Sequence, residues 1–448
     1  MVAFNVVLHN KIDKEVDFLR ILNYKLDLQE ELMKKYASSI LLLLVVAAFM
    51  LGFTGCQQIL PDKLLANQHL IKANSLYSEE KYKLAIDEYE SALKLNPQLK
   101  SLYLYLGTSY SAMYKPGKLD DRNKQYGDKA ADYLLKARTT FPEKEEIVYA
   151  LGDIYDKMGN FEEAEKYYLK ILEKNPNEPK SYYIVADFYS KYGKTDEAKA
   201  MYEKRIVLDP KAQDGYLYYA GFGSDRRLWD LSIENHQKRI LAIYDPDTLI
   251  LWNESDQMKK DLEQVTAINK NMDTIRQHKS LDQAEKTRLL DEAQQRLNQY
   301  KPLAELNKLI PEKQALVDAA LRNRWTKINA LSEEQKNKLA EAYQTLGAVA
   351  WNKSYQTPPE MMAPQERLQT CDLGLEACND SLRILPDNYQ VYGFIGLLWR
   401  QKIVAEPLKN DQYMAKWQEA YDTSKELSEK QLKRKKLQEQ LEKMGKGE

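Results

Sequence analysis

The chain has 448 residues, with 66 Lys+Arg against 67 Asp+Glu. A net charge of −1 spread over mixed signs gives no general attraction for nucleic acid. Glycine and proline are sparse, while 31 tyrosines outnumber nine phenylalanines, which points to helices packed through rings that keep a hydroxyl near water.

The most apolar stretch runs from Ile40 to Phe53. It falls short of the roughly 20 residues needed to span a ~30 Å hydrocarbon core, and it suits the apolar region of a secretory signal. Met33, Lys34 and Lys35 stand directly before it, so "MKKYASSILLLLVVAAFMLGFTGC" has a basic start, an apolar middle and small residues at its end. Met33 is then the expected start, and residues 1–32 an extension outside the native chain. The part ahead of Cys56 holds as many acids as bases, so the charge balance is unchanged without it. The "FTGC" ending resembles the lipobox of bacterial lipoproteins, although Phe53 stands where leucine is usual. The resemblance implies that residues 33–55 are a signal peptide and that Cys56 is lipidated, becomes the N-terminus and anchors the chain in the cell envelope. Gln57 fits the outer-membrane sorting pattern, which makes the periplasmic face of the outer membrane the expected location. An uncleaved signal anchor and a buried free thiol are the alternatives. Residues 56–65 read as a linker.

Next comes an internal repeat. Pro142, Pro176 and Pro210 are evenly spaced, and the same spacing separates Gly152 from Ala186, Tyr155 from Tyr189, Gly159 from Gly193, Ala164 from Ala198, and Tyr168 from Tyr202. This period and these residues resemble the tetratricopeptide repeat, a helix pair per unit, and imply an all-α solenoid over residues 66–246. Gly152 and Ala186 are expected where paired helices approach closely, and Gly159 and Gly193 where a first helix ends with φ above zero. A weaker copy carries Ala73, Leu76, Ala85, Tyr89 and Pro97. Another carries Gly107, Tyr110, Ala130 and Pro142 and is longer than the period, so residues 115–128 are expected to project as an inserted loop. A fifth unit reaches Pro246, its first helix loosened by Gly221 and Gly223.

From 247 to 330 the period lapses. Apolar residues three or four apart predict long amphipathic helices broken near Ser280, Pro302 and Pro311, arranged as a helical hairpin or as a coiled-coil seam. Residues 331–429 read as two divergent repeats, with Leu346-Gly347 and Ile395-Gly396 on the first helices and exposed Met361 and Met362 between helices. Residues 430–448 read as a basic helix or tail, either a solvated cap or a lipid-surface helix.

Reaction chemistry is not legible. The four histidines are scattered, no metal-ligand spacing occurs, and Ser78 and Lys81 lack the companion motifs of an acyl-enzyme. No metal, cofactor or small-molecule substrate is expected, and the protein reads as a non-enzyme. Cys371 and Cys378 are too far apart to pair on one helix, unless Gly374 breaks it. The repeat resemblance implies a concave groove lined by first helices, which places Asn74, Tyr77, Tyr149, Asp153, Asp156, Tyr183 and Asp187 in it. This tyrosine-rich, acidic surface fits an extended or helical protein segment bearing Lys or Arg; ordinary solvated residues are the alternative. The expectation is a membrane-anchored scaffold for protein partners in an outer-membrane, pilus or secretion assembly, or else a lipoprotein regulator of a cell-wall enzyme.

Overall fold

The structure, a computed structural model, describes residues 59–445. Among these, the chain forms eighteen α-helices and no strand. It divides into two compact units that meet in sequence at Pro142 and Glu143, so the stretch 66–246 is shared between them.

In the first unit α1 (Ile59–Ser78) pairs with α2 (Tyr82–Leu95), α3 (Leu102–Met113) pairs with α4 (Asp121–Thr140), and α2 packs on α3. Residues 59–65, expected as linker, are the first turns of α1, where Asp62 suits a helix N-terminus and Ala66 is already buried. The expected loop 115–128 is likewise shortened. Asp120 accepts the Asn123 N–H at 3.0 Å as an N-cap, and the buried Asn123 amide bonds both backbone groups of Lys115 and the carbonyl of Lys118. The chain is therefore helical from residue 121.

The second unit opens with three helix pairs: α5 (Glu145–Lys157) with α6 (Phe161–Lys174), α7 (Pro179–Lys191) with α8 (Thr195–Leu208), and α9 (Gln213–Asp225) with α10 (Trp229–Tyr244). A Cβ added to Gly152 would stand 2.8 Å from the Tyr168 ring, so only glycine admits this approach of α5 to α6. The first helices of the pairs end alike. Gly159 and Gly193 take φ of +75° and +72°, and the next N–H reaches back to the carbonyl five positions earlier, Asn160 to Tyr155 and Lys194 to Tyr189. The same closure recurs at Arg227 and, in the first unit, at Glu80, with φ of +57° and +58° on residues that carry a Cβ. Gly221 and Gly223 do not loosen α9. The helix runs through both, and Gly223 lies so close to the Ser232 backbone that a Cβ would be 2.9 Å from its nitrogen.

After α10 the chain leaves the stack and returns. α11 (Pro246–Gln277) is covered along its C-terminal half by α12 (Gln283–Leu297), through Ile268, Met272 and Ala293, and along its N-terminal half by α13 (Leu303–Arg322), through Lys313–Glu254 and Lys259–Gln314. This is the expected hairpin, its second arm made of two helices. Pro311 does not break that arm; α13 continues across it with Leu306 and Val317 buried on either side. A short α14 (Arg324–Asn329) leads to α15 (Glu333–Gln356), which packs on α10. Tyr216, Ile240, Leu241 and Tyr244 share one core with Leu339, Tyr343 and Leu346, so the helix stack is continuous across the excursion.

The divergent pairs follow, α15 with α16 (Pro364–Ile384) and α17 (Tyr389–Ala405) with α18 (Asn410–Gly445). α18 is one helix through residue 445, so residues 430–445 continue the last pair as its second helix. Met361, the last residue of a 3-10 turn, is exposed, but Met362, the extended residue that follows it, is buried. Gly374 does not interrupt α16; an added Cβ would stand 2.9 Å from Ala350 and Leu398. Cys371 and Cys378 are buried free thiols on that helix, and burial pushes the Cys378 thiol up to about 12.

Candidate groove on the first helices

In the first unit, Asn74 and Tyr77 both belong to a tyrosine cluster. Asn74 Oδ1 accepts the Tyr89 hydroxyl at 2.8 Å, and Tyr77 donates to Thr108 Oγ1 at 3.3 Å. The Tyr77 ring stands edge-on to Tyr82, Tyr89 and Tyr105, so it is half-buried packing as well as surface.

In the second unit α5 carries Tyr149, Asp153 and Asp156, and α7 carries Tyr183 and Asp187. All three carboxylates act electrostatically on Tyr168. Burial first, and then the charges of Asp156, Asp153 and Asp187, push the Tyr168 hydroxyl above its ordinary value. Asp187 is itself raised, by partial desolvation and then by Asp156, with Lys191 opposing. The expected acidity is partly cancelled: Asp153 pairs with Lys157 at 2.7 Å, and Asp156 with Lys191 at 2.6 Å.

Tyr183 lies against Tyr218 of α9 with ring centroids 4.2 Å apart. Beneath both lies the Arg205 guanidinium, 5.9 and 5.6 Å from the ring centres, 4% exposed and held by Asp214 at 2.6 Å. Two tyrosine rings on a buried, charge-compensated arginine make a firm platform, because the ring faces attract the cation and neither ring can sink further. Tyr149 is half-buried one repeat earlier. The structure thus brings Asp153, Asp156, Tyr183 and Asp187 into one region, with Arg205 and Tyr218 completing it. Sequence reasoning missed both of those. The available signal was the "KRI" at 204–206 that recurs at 238–240, which marked an arginine at a buried repeat position.

Two cavities lie away from this region: about 610 Å³ beside Pro386, Tyr389 and Gln431, and about 190 Å³ between Tyr244, Trp252, Arg324 and Leu373. Among the described residues no group of three or more His, Cys, Asp or Glu has a metal-holding arrangement, and no helix is long and apolar enough to cross a membrane. Cys56 lies outside the described residues.

No match was found among curated proteins. Among solved structures the chain is similar to MamA, at 20% identity over 38% of this chain and 93% of that one, with a TM-score of 0.31. It is also similar to YrrB, described as a tetratricopeptide repeat protein with an unusual peptide-binding site, at 22% identity over 42% and 90% of the two chains, TM-score 0.30. A tetratricopeptide repeat protein from Parabacteroides merdae is 14% identical over 75% and 99%, TM-score 0.33. Models of the tetratricopeptide repeat match residues 146–178 and 167–200, the stretch where the repeat period is clearest and where α5 to α8 pair. The chain therefore carries tetratricopeptide repeats, set in an all-α solenoid of helix pairs.

Proposed function

We propose that this protein is a lipid-anchored, non-enzymatic scaffold of the bacterial cell envelope, which holds a protein segment on the first helices of its second unit. The observation that carries the groove reading is the Tyr183–Tyr218 pair seated on Arg205, with Asp187 acting on Tyr183 and Asp156 acting in turn on Asp187. Such a surface offers flat apolar area flanked by carboxylates. It suits a segment that places an aliphatic or aromatic side chain on the rings and a Lys or Arg over Asp187, the most exposed of the three acids. The anchoring half of the proposal rests on the signal-like residues 33–55 and on Cys56.

Two experiments test the halves separately. Replacing Tyr149 and Tyr183 by alanine and Asp153 and Asp187 by asparagine is expected to leave helicity nearly unchanged. Partner recovery from detergent-solubilised envelopes should fall at least tenfold, since truncating an aromatic hot spot commonly costs about 2 kcal/mol or more. Full recovery of the same partners would place binding elsewhere. Cys56→Ser is expected to abolish palmitate labelling and processing; a variant still cleaved and retained in membranes would refute the anchor.

A further inference from the structure

The outer side of α1 differs from the rest of the first unit. Its inner seam at Ala66 and Ala73 is fully buried, and Tyr77 reaches Tyr105 of α3. On the opposite side Leu64, Gln68, Ile71 and Ser75 follow one another at helical steps of three or four and form one uncharged row. Leu64 and Ile71 are 64% and 71% exposed, Leu65 next to Leu64 is 44% exposed, and Leu84 on α2 is 51% exposed. The charges along this edge are tied to one another. Glu88 of α2 binds His69 at 2.5 Å and Lys72 at 2.6 Å, and those two hold its carboxyl below the usual carboxylate range. The terminal helix of a repeat stack normally turns a polar side outward, since nothing stacks on it. Here that side carries two exposed aliphatic side chains and no charge.

We infer that this face of α1 and α2 lies on the lipid surface to which the chain is anchored. The inference rests on the lipoprotein reading and deepens it. On that reading only Cys56, Gln57 and Gln58 precede the described start of α1. So short a segment spans about 10 Å even when extended, too little to fold back and cover a row that runs from Leu64 to Ser75. It is short enough to hold the helix against the surface that carries the acyl chains. An interfacial helix sinks its apolar side roughly 5–10 Å into the headgroup and acyl boundary, a depth that Leu64 and Ile71 can reach without unpacking the seam. The anchor and the first helix would together fix how the first unit is presented to partners.

The test uses the full mature chain, lipidated in a processing-competent bacterium and reconstituted into phosphatidylethanolamine–phosphatidylglycerol vesicles. An environment-sensitive fluorophore is placed at Ile71→Cys, at Leu84→Cys or, as control, at Gln125→Cys, an exposed position on α4; unlabelled parent chain accounts for Cys371 and Cys378, which are buried. Far-UV circular dichroism should match the parent for all three. Quenching by lipid-borne doxyl at positions 71 and 84 is expected to exceed that at 125 by at least about twofold, with emission shifted to the blue. If acylated protein is on the vesicles but position 71 is as open to aqueous iodide as position 125, the face does not touch lipid and the inference fails. If position 71 is shielded from both quenchers, another protein surface or a second copy covers it, and the inference fails again. A protein that lacks acyl mass on Cys56 and stays off the vesicles overturns the anchoring reading beneath it.

Discussion

The pairs α5 to α8 and the pairs α15 to α18 solve one packing problem with different residues. In the first set a small residue meets a tyrosine, Gly152 against Tyr168. In the second, Gly347 meets the Cys378 sulfur at a distance that leaves no room for a Cβ, and Gly396 lies under Trp417. The turns differ more. Gly159 and Gly193 close the early pairs with a left-handed residue, whereas a longer segment, from Thr357 to Ala363, joins α15 to α16 and a 3-10 turn joins α17 to α18. The later core is also more polar: Arg367 is 2% exposed and spends its donors on the carbonyls of Ser354 and Thr357, and Lys353 ties Asp230 to Glu366. Close helix approach is therefore what a repeat must keep, while its turn and its aromatic content can drift.

The junction between the two sets should be the acid-sensitive part. His236 on α10 is buried, and its pKa is depressed to about 4, by burial first and by Arg239 second. The unfolded imidazole titrates near 6.5, so between about pH 4 and 6.5 the unfolded chain binds the extra proton. The stability this group contributes is complete above pH 6.5 and falls away as the pH drops towards 4. Integrated over that window, the loss is about 3 kcal/mol. Urea unfolding of the parent and of His236→Gln at pH 7 and pH 4 should show a difference of differences of that size. A parent and variant that respond alike to acid would move the sensitivity out of the junction.

Overpacking probes the shared feature directly. Gly152→Leu and Gly347→Leu should each cost about 2 kcal/mol, since the inserted atoms meet a ring in one case and a sulfur in the other. Adding Cys378→Ala should recover part of the loss for Gly347→Leu and none for Gly152→Leu, as read by denaturant midpoints. Recovery in both, or in neither, would mean that the two regions do not share the contact.

Much of this was readable before any coordinates. The repeat period located α5 to α10, and small residues located the close approaches even at Gly347 and Gly396, because no larger residue fits there. Pro311 misled because a proline forfeits one hydrogen bond but does not end a helix whose neighbours hold both flanks. Gly223 misled because a glycine inside a helix signals entropy or proximity alike, and here it was proximity. In the groove, Asp153–Lys157 is an i,i+4 pair open to inspection, but Asp156–Lys191 crosses from α5 to α7 and needs the fold. Arg205 was hidden for the same reason: its partners, Tyr183 and Tyr218, stand on the helices before and after its own, far from it in sequence.

The smallest effect isolates the turn. Positions 159, 193 and 227 close three successive first helices through the same pair of backbone bonds, and all have φ between +57° and +75°. Two are glycine and one is arginine. A side chain in the left-handed region crowds the following carbonyl at a cost of about 1–2 kcal/mol, and glycine avoids that cost but loses more backbone freedom on folding. Arg227→Gly should therefore stabilise by roughly 0.5–1 kcal/mol, and Gly193→Ala should destabilise by about 1 kcal/mol, although nothing lies within 4 Å of the added Cβ. Opposite shifts of the urea midpoint at unchanged slope would show that the left-handed turn is a demand of the repeat, met even where the residue is unsuited to it. If Arg227→Gly lowered the midpoint, the exposed Arg227 side chain would be contributing more than its strained backbone costs, and the turn in the fifth pair would owe its shape to that side chain.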